Sequence, residues 1–266
     1  MSDTHLDLYG LVNQELEKAR HGALNWEGSF SEYLALVEDD PRLARNAWQR
    51  TLDMIESHGF EELRHERCRR WRIFDDPFTD GQDSVYGLDE PLSRLVQVIR
   101  AGARALGPER RILMLHGPVG SSKRTIVRIL KRGLEAYTKT DEGAIYTFSW
   151  EVDGELVPSP MNQDPLLLVP EDSRKRIEQD LTKKLRREYP IKIEGELDPV
   201  SRYYYQLLMK RHGGDWGKVV QHVRVRRFDA GRTVGDDVVV GVGPAVRDGM
   251  VPEEREAHGV PLLGVQ

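Results

Sequence analysis

The stretch RRILMLHGPVGSSKRTIVRIL, residues 110–130, constrains the fold of this chain more than any other part of it. An apolar run ends at Gly117, a short loop rich in Gly and Ser follows, and an amphipathic segment begins at Lys123. The apolar run predicts a buried strand, and the spacing of Ile126, Ile129 and Leu130 predicts a helix. A strand, a flexible loop and a helix in this order are the usual setting of a phosphate-binding loop.

The loop follows the pattern G-x-x-x-x-G-K-[ST] in part. In that pattern small residues let backbone N–H groups converge on phosphate oxygens, the lysine reaches the β and γ phosphates, and the final hydroxyl holds Mg²⁺. Gly117 and Lys123 match the pattern, whereas Ser122 replaces the second glycine and Arg124 replaces the hydroxyl residue. The predicted nucleotide-binding residues of this phosphate loop are Gly117, Pro118, Val119, Gly120, Ser121, Ser122, Lys123, Arg124 and Thr125.

Arg124 removes the usual hydroxyl ligand of Mg²⁺. Thr125 does not replace it, because one residue along a helix is a rotation of about 100°, but Arg124 can itself contact phosphate as a cation. Hydrolysis also needs an acid at the end of a second apolar strand, and in LLLVPED the apolar run is interrupted by Pro170, so that segment predicts a loop entering a helix. The sequence therefore predicts nucleotide binding with impaired Mg²⁺-dependent hydrolysis, and it assigns no catalytic residue and no metal ligand.

Periodicity and end signals organise the rest of the chain. They predict helices at residues 3–21, 29–40, 41–59, 88–106, 171–189 and 199–214, and the alternating segment GAIYTFSW predicts a second strand. The order helix, strand, loop, helix, strand predicts an α/β fold with a parallel sheet and helices on both faces. The predicted divisions are a helical N-terminal region (residues 1–75), an incomplete nucleotide-binding domain (residues 76–228) and a poorly ordered tail (residues 229–266).

Composition limits the partners. The net charge of −5 argues against nucleic acid as a general partner. The basic segment RHERCRRWRIF is interpreted as a solvated helix face, with nucleic-acid contact as the alternative. His65 and Cys68 lack the second pair of ligands that a zinc site needs. The single cysteine, the absence of a secretory leader and the lack of a membrane-length apolar run predict a cytoplasmic protein without a membrane partner.

Several segments resemble the PrkA serine protein kinase family. The resemblance is carried by GPVGSSK and the helix after it, by GSFSEYLALVEDDP, VYGLDEPLSRLVQVI and MNQDPLLLVPED, and by YPIKIEGELDPVSRYYYQLLMKRHGGD, and it covers residues 26–228. It implies an AAA+ nucleotide-binding core with ATP as ligand, Tyr86 and Gly87 next to adenine, and a kinase activity in a C-terminal part that this chain lacks. Family members carry Ser at the position of Arg124.

The resemblance ends near Phe228, where the composition also changes. The last 38 residues contain no Lys, nine Val and seven Gly, so we expect a shifted reading frame or an unrelated tail, with the family's second acidic strand missing.

Two functions stay open. The first is an AAA protein that binds ATP and hydrolyses it poorly. If it resembles other AAA+ proteins in this respect, it assembles with further copies of itself. The alternative is a non-catalytic regulatory module that docks a protein partner and carries a vestigial nucleotide site. A conventional protein kinase is disfavoured, because the chain has no H-R-D, D-F-G or A-P-E motif.

Overall fold

The computed structural model describes residues 24–62 and 68–228. Within these ranges the chain forms seven α-helices and six β-strands. The helices are α1 (Phe30–Asp39), α2 (Ala47–Ser57), α3 (Asp89–Ala103), α4 (Lys123–Thr138), α5 (Glu171–Leu185), α6 (Pro199–Arg211) and α7 (Trp216–Val220). The strands are β1 (Glu27–Ser29), β2 (Phe60–Glu62), β3 (Arg69–Trp71), β4 (Tyr146–Val152), β5 (Glu155–Pro158) and β6 (Val223–Arg227). The helix predicted over residues 3–21 and the tail 229–266 lie outside the described residues.

The main sheet is antiparallel throughout the described residues, in the order β1-β6-β4-β5. Phe148 and Trp150 of β4 lie opposite Val225 and Val223 of β6. The tight turn between β4 and β5 consists of Asp153 and Gly154, both with positive φ, which is the backbone that a two-residue hairpin requires. The segment GAIYTFSW thus forms the strand that was predicted, but the predicted parallel sheet is not what these residues build.

Two apolar cores are built from interleaved parts of the sequence. The first packs α1 and the main sheet around Phe30, Tyr33, Phe148, Trp150 and Leu208. The second packs α2, α3 and α4 around residues such as Ile55, Val96, Ile99 and Ile129. Each core draws side chains from both sides of residue 75, so the helical N-terminal region and the nucleotide-binding domain share their interiors.

Local sequence explains where the first helices begin. Ser29 and Glu32 form a reciprocal capping box at α1, and Asn46 and Gln49 form another at α2. Each box pairs N–H groups that the first helical turn leaves without an intrahelical acceptor. The helix predicted over residues 29–40 is therefore confirmed. The helix predicted over residues 41–59 begins only at Ala47, because Pro41–Ala44 form a separate 3₁₀-helix and Asn46 caps the α-helix.

The predicted strand before the phosphate loop is wrong for this structure. The apolar run, residues 112–116, has no regular secondary structure, and Ile112 and Met114 are 94% and 79% exposed. A strand needs a neighbour for its backbone N–H and C=O groups, and none of the strands in the described ranges pairs with this run. The sequence shows that this run is apolar enough for a strand, but it does not show whether another strand lies beside it.

The basic segment RHERCRRWRIF was predicted to be a solvated helix face, but its described part is not an α-helix. Residues 63–67 lie outside the described part, and the segment continues as strand β3, paired antiparallel with β2. Arg69, Arg70 and Arg72 form ion pairs with Glu62, Asp75 and Glu61. Nearby carboxylates therefore neutralise these arginines.

Candidate nucleotide-binding site

The phosphate loop, residues 117–125, turns sharply before α4. Gly120 has φ +84° and Ser122 has φ +53°. The Ser121 hydroxyl donates a hydrogen bond of 2.9 Å to the carbonyl of Pro118, which closes the turn. Ser122 thus adopts left-handed backbone at the position where the usual motif has glycine, a conformation that costs a non-glycine residue about 1–2 kcal/mol.

Lys123 lies folded over this turn. Its Nζ donates to the carbonyls of Gly117 and Pro118 at 2.9 and 2.6 Å and to the Ser121 hydroxyl at 3.0 Å. Helix α4 begins at this lysine, and the Ser122 side chain does not cap it. The ammonium group and the positive end of the helix dipole therefore lie at the same end of α4, which favours an anion there.

Arg124 and Thr125 differ in their surroundings. Arg124 is exposed and Thr125 is half-buried, while Ile126 enters the second core. Within the described ranges Arg124 forms no ion pair, so its guanidinium is available to a ligand at the start of α4. The structure does not put the Thr125 hydroxyl at the position where the usual motif has its Mg²⁺ ligand.

A second loop, residues 75–88, lies beside α4 and carries Tyr86 and Gly87. Asp83 of this Tyr86 loop pairs with Arg128 at 3.0 Å and with Arg132 at 2.8 Å, both on α4. These ion pairs were missed in the sequence, although two arginines four residues apart on one helix face are a signal for an acidic partner.

Tyr86 is 71% exposed. The Arg70 guanidinium lies 5.6 Å from the centre of its ring, and Gly87 has φ +71°. In the part of the chain that the structure describes, no hydrogen bond joins Tyr86 to the phosphate loop. The two predicted parts of the site are thus attached to one helix but are not in hydrogen-bonding contact.

Asp76 holds the Tyr86 loop together. The carboxylate accepts hydrogen bonds from the Thr79 hydroxyl and, at 2.9 Å, from the N–H of Asp83. Burial alone would raise the pKa of Asp76, but these hydrogen bonds outweigh it, so its pKa lies below the usual range.

We expect Asp76→Asn to destabilise the protein by about 1 kcal/mol at neutral pH, since hydrogen bonds to a charged group are stronger than those to an amide. Because folding lowers the pKa of Asp76, its charged form stabilises the fold at pH values above the pKa of an unfolded aspartate, about 3.9. The difference between wild type and variant should therefore shrink as pH falls below about 4. Urea unfolding at several pH values measures it. Asp80→Asn, an exposed position of the same loop with φ +51°, is the control; equal effects of both variants would contradict the account.

Hydrolysis needs an acid at the end of an apolar strand. Among the described residues Glu151 and Asp153 lie at the end of strand β4, where each is paired with an arginine. The segment LLLVPED was predicted to be a loop entering a helix. Its first part belongs to a short 3₁₀-helix, the predicted helix follows as α5, and Glu171 lies in the first turn of α5. Near the hairpin, Glu151 and Asp153 pair with Arg224 and Arg211. No cluster of three metal-ligating side chains occurs among the described residues, and no helix there is both long and apolar enough to cross a membrane.

Comparisons with known proteins identify the family to which this chain belongs. The family model described as PrkA AAA domain matches residues 28–236. The ATP-dependent protease PrkA of Bacillus subtilis (strain 168) is 35% identical over 220 residues, which are 82% of this chain and 30% of the relative. An uncharacterized protein in the gldA 5' region of Geobacillus stearothermophilus is 33% identical over 104 residues, which are 38% of this chain and 98% of that protein. No solved structure matches.

The chain therefore spans less than a third of the length of the B. subtilis relative. That relative is named as a protease, which differs from the kinase activity that the resemblance implied. The family match nevertheless includes the phosphate loop, the Tyr86 loop and the main sheet. The chain belongs to the PrkA AAA-domain family.

Proposed function

We propose that this chain binds ATP through residues 117–125 and hydrolyses it poorly. The observation that carries the proposal is the position of Lys123, whose Nζ lies within 3.0 Å of three oxygens of its own loop at the start of α4. A phosphate group entering there would replace these oxygens as partners of the ammonium and would meet the first N–H groups of the helix.

Three further observations support the two halves of the proposal. The relative is named as ATP-dependent, and the Tyr86 loop is attached to the same helix through Asp83. Arg124 stands where the Mg²⁺ ligand is expected. We infer that Arg124 supplies part of the positive charge that Mg²⁺ supplies in other phosphate loops, and that the protein acts in the cytoplasm.

A regulatory module with a vestigial site is the second candidate. Two observations favour this candidate: the strained backbone of Ser122 and the hydrogen bonds of Lys123 to its own loop. Nucleotide binding would have to offset the strain and the loss of these hydrogen bonds. In that case the helical N-terminal region would dock a protein partner.

Titration calorimetry with ATP and with AMP in the presence of EDTA separates the two candidates. We expect ATP to bind at least tenfold more tightly than AMP, because only ATP offers β and γ phosphates to Lys123 and α4. Equal affinity for both, or no binding of either, would contradict ATP binding and would favour the regulatory module.

A further inference from the structure

Two histidines outside the phosphate loop face each other through their Nε2 atoms. Nε2 of His212 lies 3.1 Å from Nε2 of His222. The two rings are half-buried, their centres lie 5.2 Å apart, and their planes are tilted by 30°. The spacing of the two residues in the sequence matches none of the usual zinc motifs, so it is the fold that brings them together.

The backbone holds both histidines in place. His212 caps the C-terminus of α6, and Gly213 and Gly214 follow with φ +62° and +87°. This left-handed backbone, which glycine adopts without strain, turns the chain toward α7. His222 comes directly before β6, and its carbonyl accepts a hydrogen bond of 2.7 Å from the N–H of Glu151. Side chains on backbone fixed in this way lose little freedom when they bind a ligand.

The second ring nitrogen of His222 determines its tautomer. Nδ1 lies 3.1 Å from the carbonyl oxygen of Glu151, and a carbonyl can only accept, so the hydrogen-bond network assigns the proton to Nδ1. The neutral ring then carries its lone pair on Nε2, the atom that faces His212. Histidines that bind a metal ion almost always donate their other ring N–H to a carbonyl, a carboxylate or water. His222 thus has the tautomer and the orientation of a metal ligand.

The distance between the two Nε2 atoms suits an ion bound by both rings. Two nitrogens that bind one tetrahedral ion, each about 2.0–2.1 Å from it, lie about 3.3–3.4 Å from each other. A shift of a few tenths of an ångström from the observed 3.1 Å would therefore admit the ion.

The charges beside the histidines do not oppose a cation. Arg211, the residue before His212, pairs with Asp153 at 3.4 Å. Arg224 pairs with Glu151 at 3.0 Å. Each arginine is therefore balanced by a carboxylate, and both carboxylates lie at the same end of β4 as the carbonyl that binds His222.

We propose that His212 and His222 bind a transition metal ion of the Zn²⁺ or Cu²⁺ class through their Nε2 atoms. Imidazole nitrogen suits these ions, whereas Mg²⁺ and Ca²⁺ prefer oxygen ligands. In the part of the chain that the structure describes, no third metal-ligating side chain completes a cluster with the pair, so water fills the other coordination positions. The ion links the end of α6 to the start of β6.

Binding of the ion moves one proton. Without the ion, the Nε2–H of His212 donates to Nε2 of His222, which accepts because its own proton is on Nδ1. When the ion binds, the proton of His212 moves through water from Nε2 to Nδ1. Both rings stay neutral, and both Nε2 lone pairs point to the ion.

Titration calorimetry with Zn²⁺ tests the site in the whole chain, after dialysis against a chelator and without nucleotide. We expect His212→Gln and His222→Gln each to weaken Zn²⁺ binding about tenfold or more, because each removes one of two protein ligands. His58→Gln is the matched control. His58 is also half-buried, but its ring packs against Phe78, so the affinity for Zn²⁺ should stay within about twofold.

Chemical modification of the wild-type chain gives a second reading that does not depend on the folding of any variant. Diethyl pyrocarbonate acylates the free ring nitrogens of neutral histidines, and peptide mass spectrometry locates the products. Zn²⁺ should slow the modification of His212 and His222 about tenfold and leave that of His58 unchanged, because a nitrogen bound to the ion has no free lone pair.

Two outcomes would overturn the proposal. If Zn²⁺ does not protect His212 and His222 from modification, the pair is an N–H···N hydrogen bond alone. If Zn²⁺ binding survives both substitutions, the ion binds elsewhere in the chain. Every measurement is made without nucleotide, so this proposal and the proposed function fail separately.

Discussion

Replacing Lys123 with Ala is expected to weaken ATP binding about 100-fold, which corresponds to a loss of about 2.7 kcal/mol. The ammonium already lies among three loop oxygens, so it needs only a small movement to meet a phosphate. Charge-assisted hydrogen bonds to phosphate are among the strongest available to a protein, and Ala offers none. Titration calorimetry of wild type and variant measures the change.

Lys131→Ala is the matched control, because Lys131 lies on the same helix two turns farther along. It removes the same charge without touching the phosphate loop, and we expect its effect on affinity to stay within about threefold. If the two variants bind ATP equally well, the nucleotide is not held by the phosphate loop and the site assignment is wrong.

Replacing Asp53 with Ala is expected to destabilise the protein by about 3–5 kcal/mol. The Asp53 carboxylate accepts hydrogen bonds from buried Arg45 and, at 2.5 Å, from the Tyr189 hydroxyl. The side chains of both Arg45 and Asp53 are almost completely inaccessible to solvent. Without the carboxylate the guanidinium stays buried with only neutral partners, the hydroxyl of Tyr137 and the carbonyls of Arg42 and Glu142, and an unpaired buried charge is costly.

Urea unfolding measures this loss, and an exposed ion pair supplies the comparison. Glu90 and Arg94 pair one turn apart on α3, with side chains 65% and 74% exposed, so Glu90→Ala should cost less than about 1 kcal/mol. An Asp53→Ala effect no larger than that of Glu90→Ala would show that the Arg45–Asp53 pair is not buried in solution.

Local features of this fold could be predicted from the sequence because their causes are local. Helix α4 begins at Lys123 because an amphipathic run follows a turn of small residues, and α1 and α2 begin at capping residues. Helix α5 begins directly after Pro170, which indicated a break in the apolar run and a helix after it. In each case the residues within a few positions decide the structure.

The parts that could not be predicted depend on distant partners. Strand β1 pairs with β6, about 200 residues away along the chain, and nothing in either short segment indicates the other. The apolar run, residues 112–116, shows the opposite error. Its apolar composition predicted a strand, but a strand needs a paired neighbour, and the described residues do not supply one. The ion pairs of Asp83 with α4 were missed for the same reason.

The substitution at Arg124 permits the most direct test of the central claim, that the phosphate loop binds ATP without the usual help of Mg²⁺. The measurement is the ATP dissociation constant of wild type and of Arg124→Ser, each with Mg²⁺ and with EDTA. We expect Mg²⁺ to change the affinity of wild type less than twofold and to tighten binding by Arg124→Ser about tenfold, because the serine restores the hydroxyl ligand. Equal enhancement by Mg²⁺ in both proteins would contradict the account, since Arg124 would then not be what separates this loop from an ordinary one.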